Sequence, residues 1–145
     1  MKADMFRLDG KTVAVIGAGG GIGAAVAMGV AQQGGHAICY DVKGETAEAT
    51  ARAIREAGGS AASAVLDITD EAAVAAALTS VAKTHGHLDG LVCTPAINVR
   101  KPIMKYSGEE FDRVVAVNLR GNFNVLMAAD ALLVTTELGT LASQT

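Results

Sequence analysis

Four times along this chain a short apolar run without polar alternation gives way to a stretch with helical spacing, and that rhythm leaves few folds open. The runs are TVAVIG (12–17), HAICYD (36–41), ASAVLD (62–67) and LDGLVC (88–93). Helical stretches follow at about 21–33, 45–57 and 70–85, and from Ser107 onward, the last as a long helix around Phe111 to Val134. Runs this short that lack alternation suit strands buried on both faces. Strands that alternate with helices imply right-handed crossovers and therefore a parallel sheet between helical layers. The expected fold class is α/β, three layers around a parallel sheet; the tail LGTLASQT reads as the start of a fifth strand or equally as a frayed end.

Local punctuation agrees with those boundaries. Gly34-Gly35 and Gly58-Gly59 fall where the first two helices should stop, and glycine ends helices because it turns left-handed without strain. Asp70 and Ser107 stand where the last two should start, with side chains suited to accept from the free N–H groups of a first turn. At 145 residues the chain fits one domain with a real core, and no linker or second-domain boundary interrupts it. Three Phe, two Tyr and no Trp leave the packing to Ala, Val, Leu and Ile.

Charge and cysteine usage narrow the partners. Twelve Lys and Arg against fifteen Asp and Glu give a net charge of -3, with no basic run to neutralise a nucleic acid backbone. Charged residues interrupt the amino terminus, MKADMFRLDGKTVAV, and no later stretch reaches membrane-spanning length. A cytoplasmic protein without nucleic acid or membrane partners is expected. Cys39 and Cys93 lie in strand-like contexts without CxxC or His spacing, so they read as two reduced thiols rather than a disulfide or metal pair.

Five glycines crowd the positions from Gly17 to Gly23, after the first strand and before the first helix. The strict dinucleotide pattern GxGxxG fails, because Ile22 stands where its third glycine belongs. Gly17-xxx-Gly21-x-Gly23 fits instead. In that register Gly17 permits a sharp exit from the strand, Gly21 removes a Cβ from the path of a pyrophosphate, and Gly23 lets helix and sheet pack closely. Gly19 and Gly20 fill the phosphate-facing turn. The helix N-terminus then offers N–H groups and partial positive charge to phosphates. Asp41 ends the second strand, where a carboxylate can accept from both hydroxyls of an adenosine ribose and repel a ribose 2'-phosphate. NAD is therefore expected ahead of NADP, with Lys43 moderating the preference.

At these residues the chain resembles the short-chain dehydrogenase/reductase family, over nearly its whole length. FRLDGKTVAVIGAGGGIGAAVA is similar to the family's opening, in which TGxxxGIG follows LxGKxxxV; Ile16 stands where the family has Thr. VLDITDEAAV is similar to its segment after the third strand, and the resemblance implies that Asp67 and Ile68 clasp adenine by side-chain carboxylate and backbone N–H. LDGLVCTPAIN sits where the family carries LVNNAGI, so Cys93-Thr94-Pro95-Ala96 replaces Asn-Asn-Ala-Gly, with altered cofactor geometry as the expected result. Thr94 falls among the cofactor-binding positions. FDRVVAVNLRGNFNV matches the family's next segment and implies for Asn118 the role of a catalytic helix asparagine that holds a water. The fold implied is a truncated three-layer Rossmann-type parallel sheet of strand order 3-2-1-4, the cofactor NAD(P), and the reaction hydride transfer between nicotinamide and an alcohol or ketone substrate.

The family's catalytic Tyr-x-x-x-Lys is not in this sequence. Tyr40 is followed four residues on by Gly44, and Tyr106 by Glu110. Members of the family run to about 250 residues, so the expectation is a cofactor-binding portion without the catalytic half. Uncovered apolar residues and a sheet edge then imply self-association, or marginal stability, of the isolated chain. Two other readings remain open on the sequence: a non-catalytic dinucleotide-binding or scaffold module, and an S-adenosylmethionine-dependent methyltransferase domain. INVRKP (97–102) resembles a loop of some sugar-acid and polyol dehydrogenases, in which Arg100 or Lys101 could meet an anionic substrate.

Overall fold

The computed structural model of the chain describes residues 5–133. Four parallel strands, β1 (Thr12–Ile16), β2 (His36–Asp41), β3 (Ser60–Val65) and β4 (Gly90–Cys93), form one sheet of order β3-β2-β1-β4. Val15 pairs with Cys39 on one side and Val92 on the other, so β1 is fully internal and β4 borders the sheet among the described residues. The expected fifth strand lies outside those residues.

Both faces of β1 are covered, which is why its sequence does not alternate. Val13 and Val15 face α1 (Gly21–Gln32) and α2 (Gly44–Glu56), packing with Ala27, Val30, Ala51 and Ile54. Ala14 and Ile16 face the opposite layer, where Val74, Leu78 and Val81 of α3 (Glu71–His85) meet Val125 and Ala129 of α5 (Asn122–Leu133). The side chains are small, so the layers approach closely, and burying each Val or Leu contributes roughly 1.5–3 kcal/mol. Cys39 is among the fully buried residues, and burial pushes its thiol up to about 11. Burial also raises the Cys93 thiol, and both cysteines are free.

The caps stand where the side chains predict them. Asp70 accepts from the Ala73 N–H at 2.9 Å. Ser107 accepts from Glu110 while the Glu110 carboxylate accepts from the Ser107 N–H, a reciprocal capping box at α4 (Gly108–Val115). Gly34 and Gly58 take left-handed φ just past α1 and α2.

Three elements differ from expectation, the first being β4, which begins at Gly90 rather than at Leu88. β3 runs Ser60–Val65, not 62–67, because its register against β2 is set by His36 opposite Ser60 and Asp41 opposite Val65. Asp67 is thereby released into the turn beyond the strand. The long last helix is not uniform either: a π-helical turn at Ala116–Gly121 separates α4 from α5. Gly121 tolerates the close pass that this turn makes over Ile68, where a Cβ would lie 2.6 Å from Cγ1. The part of that expected helix at Val134 lies outside the described residues.

At the sheet end opposite the glycine turn, His36 Nδ1 lies 2.6 Å from Ser60 Oγ and its ring is 4.7 Å from that of His85. His36 Nε2 is buried without a hydrogen-bond partner. Burial, then the neighbouring His85, holds the imidazole below its ordinary value of 6.5. The folded state thus takes up this proton less readily than the unfolded chain, and its contribution to stability, complete above about pH 6.5, declines as pH falls towards the folded value. Urea midpoints at about pH 7.5 and about pH 5.5 check this: the wild type should lose more stability over that interval than His36→Asn.

Candidate functional site

The carboxyl ends of the strands open on a cleft of about 870 Å³, whose walls come from the β1–α1 turn, the ends of β2 and β3, the segment after β4, and the α4 end. A crevice at this place, where neighbouring crossovers run to opposite faces of the sheet, is where open α/β sheets bind ligands.

Gly17 leaves β1 with φ +85, and its N–H and that of Ala18 both donate to the Tyr40 carbonyl, at 2.8 and 2.9 Å. The Ala18 carbonyl accepts from Thr50 Oγ1 of α2 at 2.8 Å, a buried bond that fastens the turn from behind. Gly20 precedes α1 in extended conformation, no side chain caps the helix, and its first turn contains no carboxylate. The opening N–H groups of α1 therefore have no internal acceptor, unlike those of the capped α3 and α4. Gly21, Ile22 and Gly23, which carry them, line the cleft, and Ile22 is 75% exposed.

The glycines divide their work on steric grounds. A Cβ on Gly23 would lie 2.0 Å from the Gly17 carbonyl oxygen, so this position holds strand and helix in direct backbone contact. A Cβ on Gly17 would meet Thr94 Oγ1 at 2.4 Å. Gly21 has φ +53 and open space in front of it, as a ligand-facing position requires. Gly19 does more than fill the turn. Its N–H donates to Asp41 Oδ2 at 2.9 Å, and a Cβ there would strike both Asp41 and Thr46.

Asp41 Oδ1 accepts from the Lys43 N–H at 3.0 Å, so each carboxylate oxygen is fixed by one backbone donor and retains acceptor capacity towards the cleft. Asp67 is turned by Thr69, whose N–H and Oγ1 both donate to Oδ1, at 2.9 and 2.7 Å. Ile68 is buried beside it, and its carbonyl accepts from Asn124 Nδ2 at 3.0 Å. Thr94 extends the β1 ladder by donating its N–H to the Ile16 carbonyl at 3.0 Å, and its hydroxyl donates to the same oxygen at 3.0 Å. Pro95 and Ala96 follow it along the cleft wall.

Asn118 sits on the π-helical turn and clamps Ile97 at both polar atoms. Its Oδ1 accepts from the Ile97 N–H and its Nδ2 donates to the Ile97 carbonyl, each at 2.8 Å. In the basic loop, Lys101 is paired with Glu110. The bonds from Lys101 and the Ser107 N–H hold the Glu110 carboxyl below the usual carboxylate range. Of the two cations in the loop, Lys101 is thus committed to the protein itself. The tyrosines are committed too: Tyr40 donates to the Ala77 carbonyl and Tyr106 to the Val99 carbonyl.

Three contributors were not identified from the sequence. Thr50 and Asn124 are buried polar residues in helices, and a lone polar side chain on an apolar helix face, as in NVLMAADALL, is the signal for the second. Arg113, the cation among the cleft-lining residues, lies one turn before Ala116 and Val117 on the same wall. Nothing in its own charge pattern marks it.

A dinucleotide suits this arrangement on the donor and acceptor sets alone: uncapped helix N–H groups and a Cβ-free turn for phosphates, a backbone-fixed carboxylate beside them, and an apolar wall beyond. The fold defines an α/β domain of the Rossmann type, with the cleft at the carboxyl ends of its strands. The family model for short chain dehydrogenase matches residues 11–142, and the chain belongs to that family. It is 37% identical over 123 residues to D-threitol dehydrogenase of Mycolicibacterium smegmatis, covering 85% of this chain and 47% of that protein. It is 30% identical over 136 residues to 5-keto-D-gluconate 5-reductase of Escherichia coli, covering 94% of this chain and 54% of that one. Among solved structures, NAD+-bound xylitol dehydrogenase superposes with a TM-score of 0.84 at 34% identity, covering 88% of this chain and 50% of that chain. A metagenomic short-chain oxidoreductase in complex with NADP superposes at 0.78, also at 34% identity, over 83% of this chain and 55% of that chain. The chain thus spans about half the length of the relatives it matches. Membership of this family decides against the methyltransferase reading.

The two extreme glycines make a direct test of the turn. Gly23→Ala forces backbone apart and should cost about 2 kcal/mol or more, whereas Gly20→Ala, with nothing within 4 Å of the new Cβ, should stay within about 0.5 kcal/mol. Urea unfolding of the two variants beside the wild type measures both.

Proposed function

We propose that the chain binds a nicotinamide dinucleotide, NAD in preference to NADP, as the cofactor-holding part of a short-chain dehydrogenase that oxidises alcohols or reduces ketones. The observation that carries this reading is Asp41, locked at the end of β2 by the Gly19 and Lys43 N–H groups so that its charge and remaining lone pairs confront the cleft. Fixed acceptors suit two ribose hydroxyls and oppose a phosphate ester. In this reading Gly17, Gly19, Gly20, Gly21, Ile22 and Gly23 form the pyrophosphate cradle, and Asp67 and Ile68 receive adenine. Thr94 borders the nicotinamide ribose.

When bound, the nicotinamide ring supplies hydride acceptance and donation. Asn118 acts here as a positioning residue: its clamp on Ile97 fixes the loop that leads from β4 towards the substrate side. Polyol or sugar-acid substrates are favoured, since D-threitol dehydrogenase and 5-keto-D-gluconate 5-reductase are among the relatives. With Lys101 paired to Glu110, Arg100 is the cation of the loop assigned to an anionic substrate. Two free cysteines fit a cytoplasmic setting. Among the described residues no helix is long and apolar enough to cross a membrane.

Calorimetric titration of the chain with NADH, NADPH and S-adenosylmethionine tests the reading: NADH should bind most tightly, and Asp41→Ala should lower its affinity about tenfold or more while narrowing the gap to NADPH. Binding of S-adenosylmethionine alone would defeat it. Homo-oligomer formation belongs to the same proposal. Phe111, Leu119, Phe123, Leu126 and Met127 leave 51–68% of their surface exposed along α4, the π-helical turn and α5. Sedimentation should therefore give a species larger than the monomer, and Leu126→Glu should shift it towards monomer.

A further inference from the structure

The bond from Asn124 to Ile68 has a consequence that reaches the cleft. A trans peptide unit presents its C=O and its N–H on opposite edges of one plane. The unit that joins Ile68 to Thr69 is gripped on both. On its oxygen edge Asn124 Nδ2 donates to the Ile68 carbonyl at 3.0 Å, and on its nitrogen edge the Thr69 N–H donates to Asp67 Oδ1 at 2.9 Å.

Asn124 is 4% exposed and Ile68 is 4% exposed, so the first bond is made inside the protein. Asp67 is exposed and lines the cleft. Both bonds from Thr69 fall on Oδ1, which directs the remaining acceptor capacity of the carboxylate to Oδ2. Gly121, one turn before Asn124, admits Ile68 at a distance no Cβ would allow. The π-helical turn therefore seats Ile68 at Gly121, and the start of α5 orients the peptide plane behind it.

We propose that Asn124 is a positioning residue for Asp67: through the Ile68–Thr69 peptide it sets the orientation of the carboxylate that receives the exocyclic amino group of adenine. The assignment rests on the dinucleotide reading above and adds to it the origin of base selectivity. A donor on the carbonyl edge also polarises the peptide and strengthens the bond its N–H makes to Oδ1. Without Asn124 the plane can rotate about its flanking bonds, and Asp67 loses its fixed direction.

The test compares reduced nicotinamide adenine dinucleotide with its hypoxanthine analogue, in which an oxo group replaces the amino donor. Wild type should prefer the adenine form by about tenfold, the value of one hydrogen bond to a charged acceptor. Asn124→Leu should lower affinity for the adenine form towards that for the analogue and leave the analogue's affinity unchanged. Asn124→Asp keeps the shape of the side chain, removes the amide donor and should do the same, which covers failure of the leucine variant to fold. In the Asp67→Ala background neither change should alter the ratio further. A proportional loss of both ligands, or an unchanged ratio in variants with wild-type thermal unfolding, overturns the role of Asn124 alone. Failure of wild type to bind either NADH or NADPH overturns the dinucleotide reading and this role with it.

Discussion

The contact on which the rest of the structure depends is the approach of α1 to the end of β1, where the Gly17 carbonyl occupies the space that any side chain on Gly23 would need. That contact brings the helix N-terminus to the carboxyl end of an internal strand, at the floor of the cleft. Thr94 closes the arrangement from the other side, since its hydroxyl stands where a side chain on Gly17 would be. Three backbones thus meet with no Cβ between the first two, and the cleft is the space left above them.

Around this floor, polar groups are fixed from a distance. Thr50 on α2 holds the glycine turn, Asn124 on α5 holds the turn after β3, and Asn118 holds the loop after β4. Each bond reaches from a helix to a main-chain group of a connection, so the loops that line the cleft are tied to the helices beside them. The groups that face the cleft keep free capacity: α1 has no side-chain cap, and Asp41 and Asp67 each retain lone pairs. α3 and α4, by contrast, satisfy their first turns with Asp70 and Ser107. α2, like α1, has no side-chain cap, but of these two uncapped starts it is that of α1 whose residues line the cleft.

Much of this was legible in the chain itself. The four apolar runs revealed the strands and their buried faces, because a residue such as Val15 or Ile38 has helices on either side of the sheet. The Gly17, Gly21 and Gly23 register was legible for a similar reason: glycine is conspicuous where backbone must approach backbone. The start of β3 was not, since Ser60 and Ala61 carry little apolar signal and their pairing is decided by β2 across the sheet. The interruption of the last helix was likewise hidden, because the one weak helix former that stands out in AVNLRG, Gly121, is tolerated within helices and does not by itself mark a π-helical turn. The commitment of Lys101 to Glu110 escaped notice because the partners meet only after the chain turns through the Ile103–Lys105 segment.

The sequence by itself determined the layered α/β fold and the position of the glycine turn, since these rest on hydrophobic spacing and on residues whose stereochemistry speaks locally, while the strand order and the family came with the resemblance of its motifs. Only the tertiary structure decided which polar atoms remain free to meet a ligand. Whether a carboxylate such as Asp41 or Asp67 is spent or available depends on donors contributed by other segments, and hydrogen-bond partners brought together by folding leave no mark on the spacing of either one.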